Sequence, residues 1–144
     1  MARKKVLFAT DYSEFSGHAL TCATSLARDA GATLLVAHVS ELEEYPVGEL
    51  FDEEPHPSDS EIAKLMAVTP HDRRIPCEHR LLHGDPAREI LKLADQEAVE
   101  AIVIGTHGHS RLLHLLAGSV ADAVMREAHC PVIAYRPPLS VVTT

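Results

Sequence analysis

The feature that most narrows the fold is an alternation of short apolar runs with stretches of helical spacing. Lys4 to Thr10 carries Val6, Leu7 and Phe8 in succession, as a strand buried on both faces requires. Ser13 to Ala30 sets Ala19, Leu20, Ala23, Leu26, Ala27 and Ala30 at helical spacing, and Gly31 is a natural stop. Thr33 to Val39 is a second buried strand. A short helix is expected over about Ser58 to Val68, ended by Pro70, and Cys77 to His83 alternates as a third strand. Asp85 and Pro86 then cap and open a helix with Ala87, Ile90, Leu91, Ala94 and Ala98 on one face. Ala101 to Gly105, a helix from about Ser119 to Ala128, and Val132 to Tyr135 complete the pattern.

Strand–helix alternation of this kind implies parallel strands joined by right-handed crossovers, an α/β doubly wound sheet. Residues 1–144 are expected to form one domain, since neither an internal repeat nor a linker is visible. Apolar residues make up 46% but aromatics only 4%, so the core must be aliphatic and rich in alanine.

Thirteen basic residues against 21 acidic ones give a net charge of −8, the wrong sign for a nucleic-acid backbone or an anionic membrane surface. A small anion remains acceptable, but only to local backbone donors or a well-placed side chain. Cys22, Cys77 and Cys130 form no CxxC pair, so reduced thiols and a cytoplasmic location are expected. The apolar run after Met1-Ala-Arg-Lys-Lys ends at Ala9, too short for a signal peptide, and no segment has transmembrane length.

The most informative stretch is Gly105-Thr106-His107-Gly108-His109-Ser110-Arg111, continuing to Ala117-Gly118-Ser119. It leaves the fourth strand and reaches the expected start of the last helix. Glycines let backbone amides approach a phosphate, and Ser119 at a helix start would add free amides and the helix dipole. The same residues also suit a tight turn, with Ser119 and Asp122 as a capping box. Neither GxxxxGK[ST] nor GxGxxG after the first strand occurs, so neither a P-loop nor a Rossmann fingerprint is present.

Gly-x-x-Gly, nine residues, then Gly-Ser resembles the nucleotide motif of the universal stress proteins, in their ATP-binding subclass. The resemblance runs the length of the chain. It includes Val-Leu-Phe-Ala-Thr-Asp-Tyr-Ser-Glu at the start, His-Val ending the second strand, Gly-Asp-Pro before a helix, and Ala-His-Cys-Pro-Val near the end. It implies a five-stranded parallel sheet in the order 3-2-1-4-5 with helices on both faces. ATP, with Mg²⁺, would lie across the strand ends, where strand order reverses. By the same resemblance Gly105, Gly108, Gly118 and Ser119 are phosphate and ribose contacts, with Val120 a further backbone contact. Ala9, Thr10 and Asp11 would meet adenine and ribose, and Val39 would face adenine. Ala9 stands where the family often has Pro, and His109 where it often has a basic residue.

The family also implies a homodimer. Val132 to Tyr135 would be its apolar edge strand, with Pro at Ile133 expected to loosen it. The acidic segment Glu41 to Asp59 has two readings, a solvated loop with no role or a mobile flap beside the nucleotide that closes better with Mg²⁺.

Sharper chemistries find less support. The ten histidines give neither the paired spacing nor the ligand number of a zinc site, although Cys77, His79 and His83 share one strand face. Phosphoryl transfer needs metal ligands and a charge stabiliser, yet the loop holds no Lys and only Arg111 is basic there. No dedicated active site is expected, at most slow ATP hydrolysis. Two functions stay open: a nucleotide-binding regulator of the stress response acting through a downstream protein partner that the sequence does not identify, and a dimeric interaction protein that needs no nucleotide.

Overall fold

The computed structural model describes residues 3–40, 59–105 and 114–135, without the side chains of 14–15 and 114–119. Its elements run β1 (Lys5–Ala9), α1 (Glu14–Ala30), β2 (Thr33–Ser40), α2 (Asp59–Met66), β3 (Cys77–His83), α3 (Pro86–Glu97), β4 (Ala101–Gly105), α4 (His114–Glu127) and β5 (Val132–Tyr135). The five strands form one sheet in the order β3-β2-β1-β4-β5, with every pair parallel. This is the doubly wound order that the resemblance implied.

The central strand explains why the sheet needs helices on both sides. Val6, Leu7 and Phe8 are each fully buried, and consecutive side chains of a strand point to opposite faces. Val6 and Phe8 join Leu34, Val36 and Val103 against Ala19, Ala23 and Ala27 of α1 and Leu65 of α2. Leu7 and Ala9 join Leu35, Val39, Ile102 and Ile104 against Ile90, Leu93 and Ala94 of α3 and Val124 of α4. Alanine on the inward stripe of α1 brings that helix close to the strands, which an aromatic-poor sequence can exploit. Ser13 caps α1 by accepting from the Ser16 amide, and Gly31, at φ 63°, closes it in the left-handed conformation.

Three boundaries depart from expectation. Asp85 caps α3 and Pro86 opens it as anticipated, but Ala98 lies beyond the helix as its left-handed cap at φ 49°, outside the buried face. Leu93 supplies the buried contact instead. A larger correction concerns α4, which starts at His114 rather than Ser119. Nothing in His114-Leu-Leu-Ala opposes a helix, since leucine and alanine are among the strongest helix formers and no proline intervenes. Gly118 and Ser119 therefore lie inside α4, and Ser119 is not its N-cap, so the capping box with Asp122 does not form.

The third correction concerns β5. Ile102 N–H donates to Pro131 O at 2.9 Å, and Ile102 is in register with Val132. In a parallel ladder that register turns the Ile133 N–H inward to β4 and the N–H groups of Val132 and Ala134 outward. Proline at Ile133 would break the sheet itself, so Ala134 is the position that tests the open edge. Glu41 to Ser58 of the acidic segment lies outside the described residues, and Asp59 is the first residue of α2. No helix among the described residues is long and apolar enough to cross a membrane.

Candidate functional site

The chain leaves β1 toward α1 on one face of the sheet and leaves β4 toward α4 on the other. Adjacent strands whose exits diverge leave a crevice at their C-terminal ends, the place where doubly wound sheets bind ligands. Ala9, the last residue of β1, is flanked in register by Ala37 and Ile104. Ala9, Val39, Ile104 and Ala87 of α3 belong to the one buried cluster on the α3–α4 face, and Val120 of α4 packs against that cluster. Three separate elements thus place sequence-derived residues Ala9, Val39 and Val120 in one apolar cluster. Gly105 closes β4 beside it, in register with Tyr135.

Thr10 and Asp11 follow directly. Thr10 continues the ladder past β1, its N–H donating to Ala37 O at 2.9 Å. Its hydroxyl oxygen accepts from the Tyr12 N–H at 3.0 Å, and its carbonyl accepts from His38 Nδ1 at 2.7 Å. A carbonyl has no proton to give, so Nδ1 of His38 carries one. Asp11 Oδ1 accepts from the Ser13 N–H at 2.9 Å and from Ser16 Oγ at 2.6 Å, while the Asp11 N–H donates to Ser16 Oγ at 3.3 Å. Ser16 is 4% exposed, so this carboxylate is held by a buried hydroxyl rather than left to swing.

Gly108 and His109 lie outside the described residues. Gly118 and Ser119 sit within α4, so the free amides expected at Ser119 are not found at that position. Of the ten sequence-derived residues, Ala9 and Val39 belong to this cluster and Val120 packs against it, while Thr10, Asp11 and Gly105 lie at the adjoining strand ends.

Residues that the sequence did not single out surround the β1–α1 turn. Tyr12 has φ 65°, a left-handed conformation uncommon for an aromatic residue. Its ring lies 4.2 Å from the His38 ring, centroid to centroid, and Lys64 Nζ of α2 sits 4.5 Å above it. Its hydroxyl is buried and makes no hydrogen bond among the described residues. Burial, reinforced by the Glu61 carboxylate, pushes the phenol up to about 12. His38 carried one signal in the sequence, the His-Val that ends the strand. Tyr12 stood only as a member of the quoted opening segment and Lys64 carried no signal, because their pairing joins the β1–α1 turn to a helix far along the chain.

Cysteine chemistry has little footing. His79 Nε2 lies 2.8 Å from Val68 O and 3.7 Å from Cys77 Sγ. Donating its proton to that carbonyl, Nε2 is no base for the thiol, and burial pushes the Cys77 thiol up. Among the described residues no three His, Cys, Asp or Glu side chains are grouped to hold a metal ion.

Residues 2–136 match the model of the universal stress protein family. A universal stress protein of Methanocaldococcus jannaschii is 30% identical over 142 residues, covering 94% of this chain and 83% of that one. Another, from Thermus aquaticus, is 36% identical over 138 residues, covering 92% and 98%. Among solved structures, the universal stress protein of Archaeoglobus fulgidus in complex with dAMP superposes with a TM-score of 0.66 at 28% identity, covering 94% of this chain and 99% of that one. A universal stress protein in complex with cAMP gives 0.67 at 25% identity, covering 94% and 98%. The chain belongs to the universal stress protein family.

Proposed function

We propose that this chain is an ATP-binding regulator of the stress response, a single nucleotide-binding domain that carries ATP in the crevice between β1 and β4. The observation that carries this reading is the meeting of Ala9, Val39 and Val120 in one apolar wall beside the fixed Thr10 and Asp11. An apolar wall accepts a flat base, and a restrained carboxylate accepts from ribose hydroxyls. Two relatives whose crystal structures hold adenine nucleotides support the choice of ligand.

Phosphates are the harder part for a chain of net charge −8. Free backbone amides of the segment that follows Gly105 are the donors this reading assigns to them. Gly105 and Gly108 would bind through main-chain groups, Gly118 would leave room for the phosphates, Ser119 would offer its hydroxyl, and His109 would add a charge that depends on pH. Mg²⁺ would arrive with the triphosphate, bound chiefly by the phosphate oxygens. The residues would hold and orient the nucleotide, and in this reading the protein acts as a binder, with at most slow hydrolysis of ATP. It works in the cytoplasm, away from membranes and nucleic acids, and passes its state to a protein partner.

The assembly proposed is a homodimer through Val132 to Tyr135, whose outward N–H groups at Val132 and Ala134 offer a strand edge. The test is calorimetric titration of ATP and Mg²⁺ into the purified protein, with heat-released small molecules read by absorbance. Saturable binding at one site per chain is expected. A nucleotide-free preparation that also gives no heat of binding would leave the nucleotide-independent dimer as the function.

A further inference from the structure

Tyr12 is the residue whose conformation needs the most explaining. A left-handed tyrosine carries a steric penalty, and such conformations persist where surrounding contacts enforce them. Here three contacts do so, from three parts of the chain. The Thr10 hydroxyl accepts its N–H, the His38 ring lies against one side of its ring, and the Lys64 ammonium lies over the ring. His38 in turn donates to the Thr10 carbonyl. The path therefore closes on itself: Lys64 to Tyr12, Tyr12 to His38, His38 to Thr10, and Thr10 back to Tyr12.

Within this loop sit the backbone atoms from which Thr10 and Asp11 project. α2 is joined to the sheet by few apolar contacts, Leu65 being its one buried residue. Its Ile62 and Met66 remain 42% and 54% exposed. The Lys64–Tyr12 contact therefore joins α2 directly to the β1–α1 turn.

We propose that Tyr12 is a positioning residue for the nucleotide site, gripped between Lys64 and His38 so that docking of α2 sets the affinity of the crevice. This rests on the nucleotide reading above. Tyr12 touches no ligand in this account. It holds the β1–α1 turn in the shape that presents Thr10 and Asp11, so a change in α2 reaches the site through the ring and not through the ligand.

The test is a double-mutant cycle read by calorimetric ATP titration, with thermal melts confirming that each variant is folded. Lys64→Ala should weaken binding about two- to fivefold, the size that one exposed cation–π contact can transmit. Tyr12→Gly keeps the left-handed backbone accessible while removing the ring, and should weaken binding about tenfold. Tyr12→Phe, which keeps the ring, should recover most of that loss. In the Tyr12→Gly background Lys64→Ala should have no further effect, a coupling that independent contributions to stability would not produce. Tyrosine emission gives a second readout, since the chain has three Tyr and no Trp. ATP should alter it in the parent protein and less so in Tyr12→Gly. Parent protein that binds ATP, with Lys64→Ala and Tyr12→Gly binding equally well, overturns this inference alone. Parent protein that binds no nucleotide overturns the functional reading and this inference with it.

Discussion

Ser16 Oγ donates to Asp11 Oδ1 at 2.6 Å, from the first turn of α1 back across the turn that leaves β1. The same Oδ1 accepts from the Ser13 N–H, and Ser13 caps the helix. One carboxylate therefore serves two ends. It fixes the start of α1, and α1 fixes the direction in which Asp11 faces.

Ser16→Ala should consequently affect stability and binding together. Loss of a buried hydroxyl that joins a charged acceptor is expected to destabilise the protein by about 1.5–3 kcal/mol. ATP affinity should fall about fivefold, because the Asp11 carboxylate loses its fixed orientation. Denaturant melts and calorimetry on the same preparation check both values. Unchanged affinity in a destabilised variant would show that the helix start alone depends on this bond.

Gly118→Ala separates the place of Gly118 inside the last helix from the phosphate contact proposed for it. Within α4, alanine is the better helix former by about 1 kcal/mol, so the variant should be more stable. A methyl group at a glycine that admits phosphate should nonetheless weaken ATP binding, by tenfold or more on the order of one lost close contact. Opposite signs in thermal melting and titration are the expected result. A variant both more stable and equally tight would remove Gly118 from the site.

The far end of the sheet predicts a pH dependence independent of ligand. Lys5 Nζ lies 2.9 Å from Glu97 and 3.1 Å from Glu78, and Arg80 reaches Glu97 at 3.0 Å. Hydrogen bonding from Lys5 holds the Glu97 carboxyl below its ordinary 4.5. Its contribution to stability is thus fully present above that value and is lost as pH falls through the lower folded value. The Lys5 ammonium, raised above 10.5 chiefly by Glu97, contributes below that value and loses its share as pH rises further. Glu97→Gln should lower the melting temperature by about 3 °C at pH 7, for a loss near 1 kcal/mol. The gap should narrow as pH falls through that lowered value. A constant difference from pH 3 to pH 8 would show that the charge of Glu97 does not matter.

The β5 edge gives a prediction for assembly. Ala134→Pro removes an N–H that faces away from β4, so the sheet should survive while a strand-paired dimer weakens. Ile133→Pro should instead unfold the β4–β5 end. Sedimentation at micromolar concentration is expected to show a dimer for the parent and a shift toward monomer for Ala134→Pro. A parent that sediments as monomer contradicts the dimer.

The strands were legible because their signals are local. Val6-Leu7-Phe8 and Ile102-Val103-Ile104 need no partner to announce burial on both faces, and Asp85-Pro86 announces a helix start. The start of α4 was not legible, since glycine and serine at 118 and 119 carry the composition of a helix start while the leucines before them carry the propensity to extend it. Ala98 shows the same conflict, a helix former made into a left-handed cap by the need to enter β4. For the site, Ala9, Val39 and Val120 came from the family resemblance, and the structure places all three in or against one core cluster. Tyr12, Ser16 and Lys64 were missed because their meaning lies in pairings, which no single segment displays.

The central claim is that ATP occupies the C-terminal ends of β1 and β4. It is tested most directly by amide chemical shifts recorded during titration of ¹⁵N-labelled protein with ATP and Mg²⁺. The account predicts the largest changes at Thr10, Asp11, Val39, Gly105 and Val120, with Lys5, Glu78 and Glu97 at the opposite end unmoved. Changes centred on Lys5, Glu78 and Glu97, or no changes at saturating ATP, would contradict it.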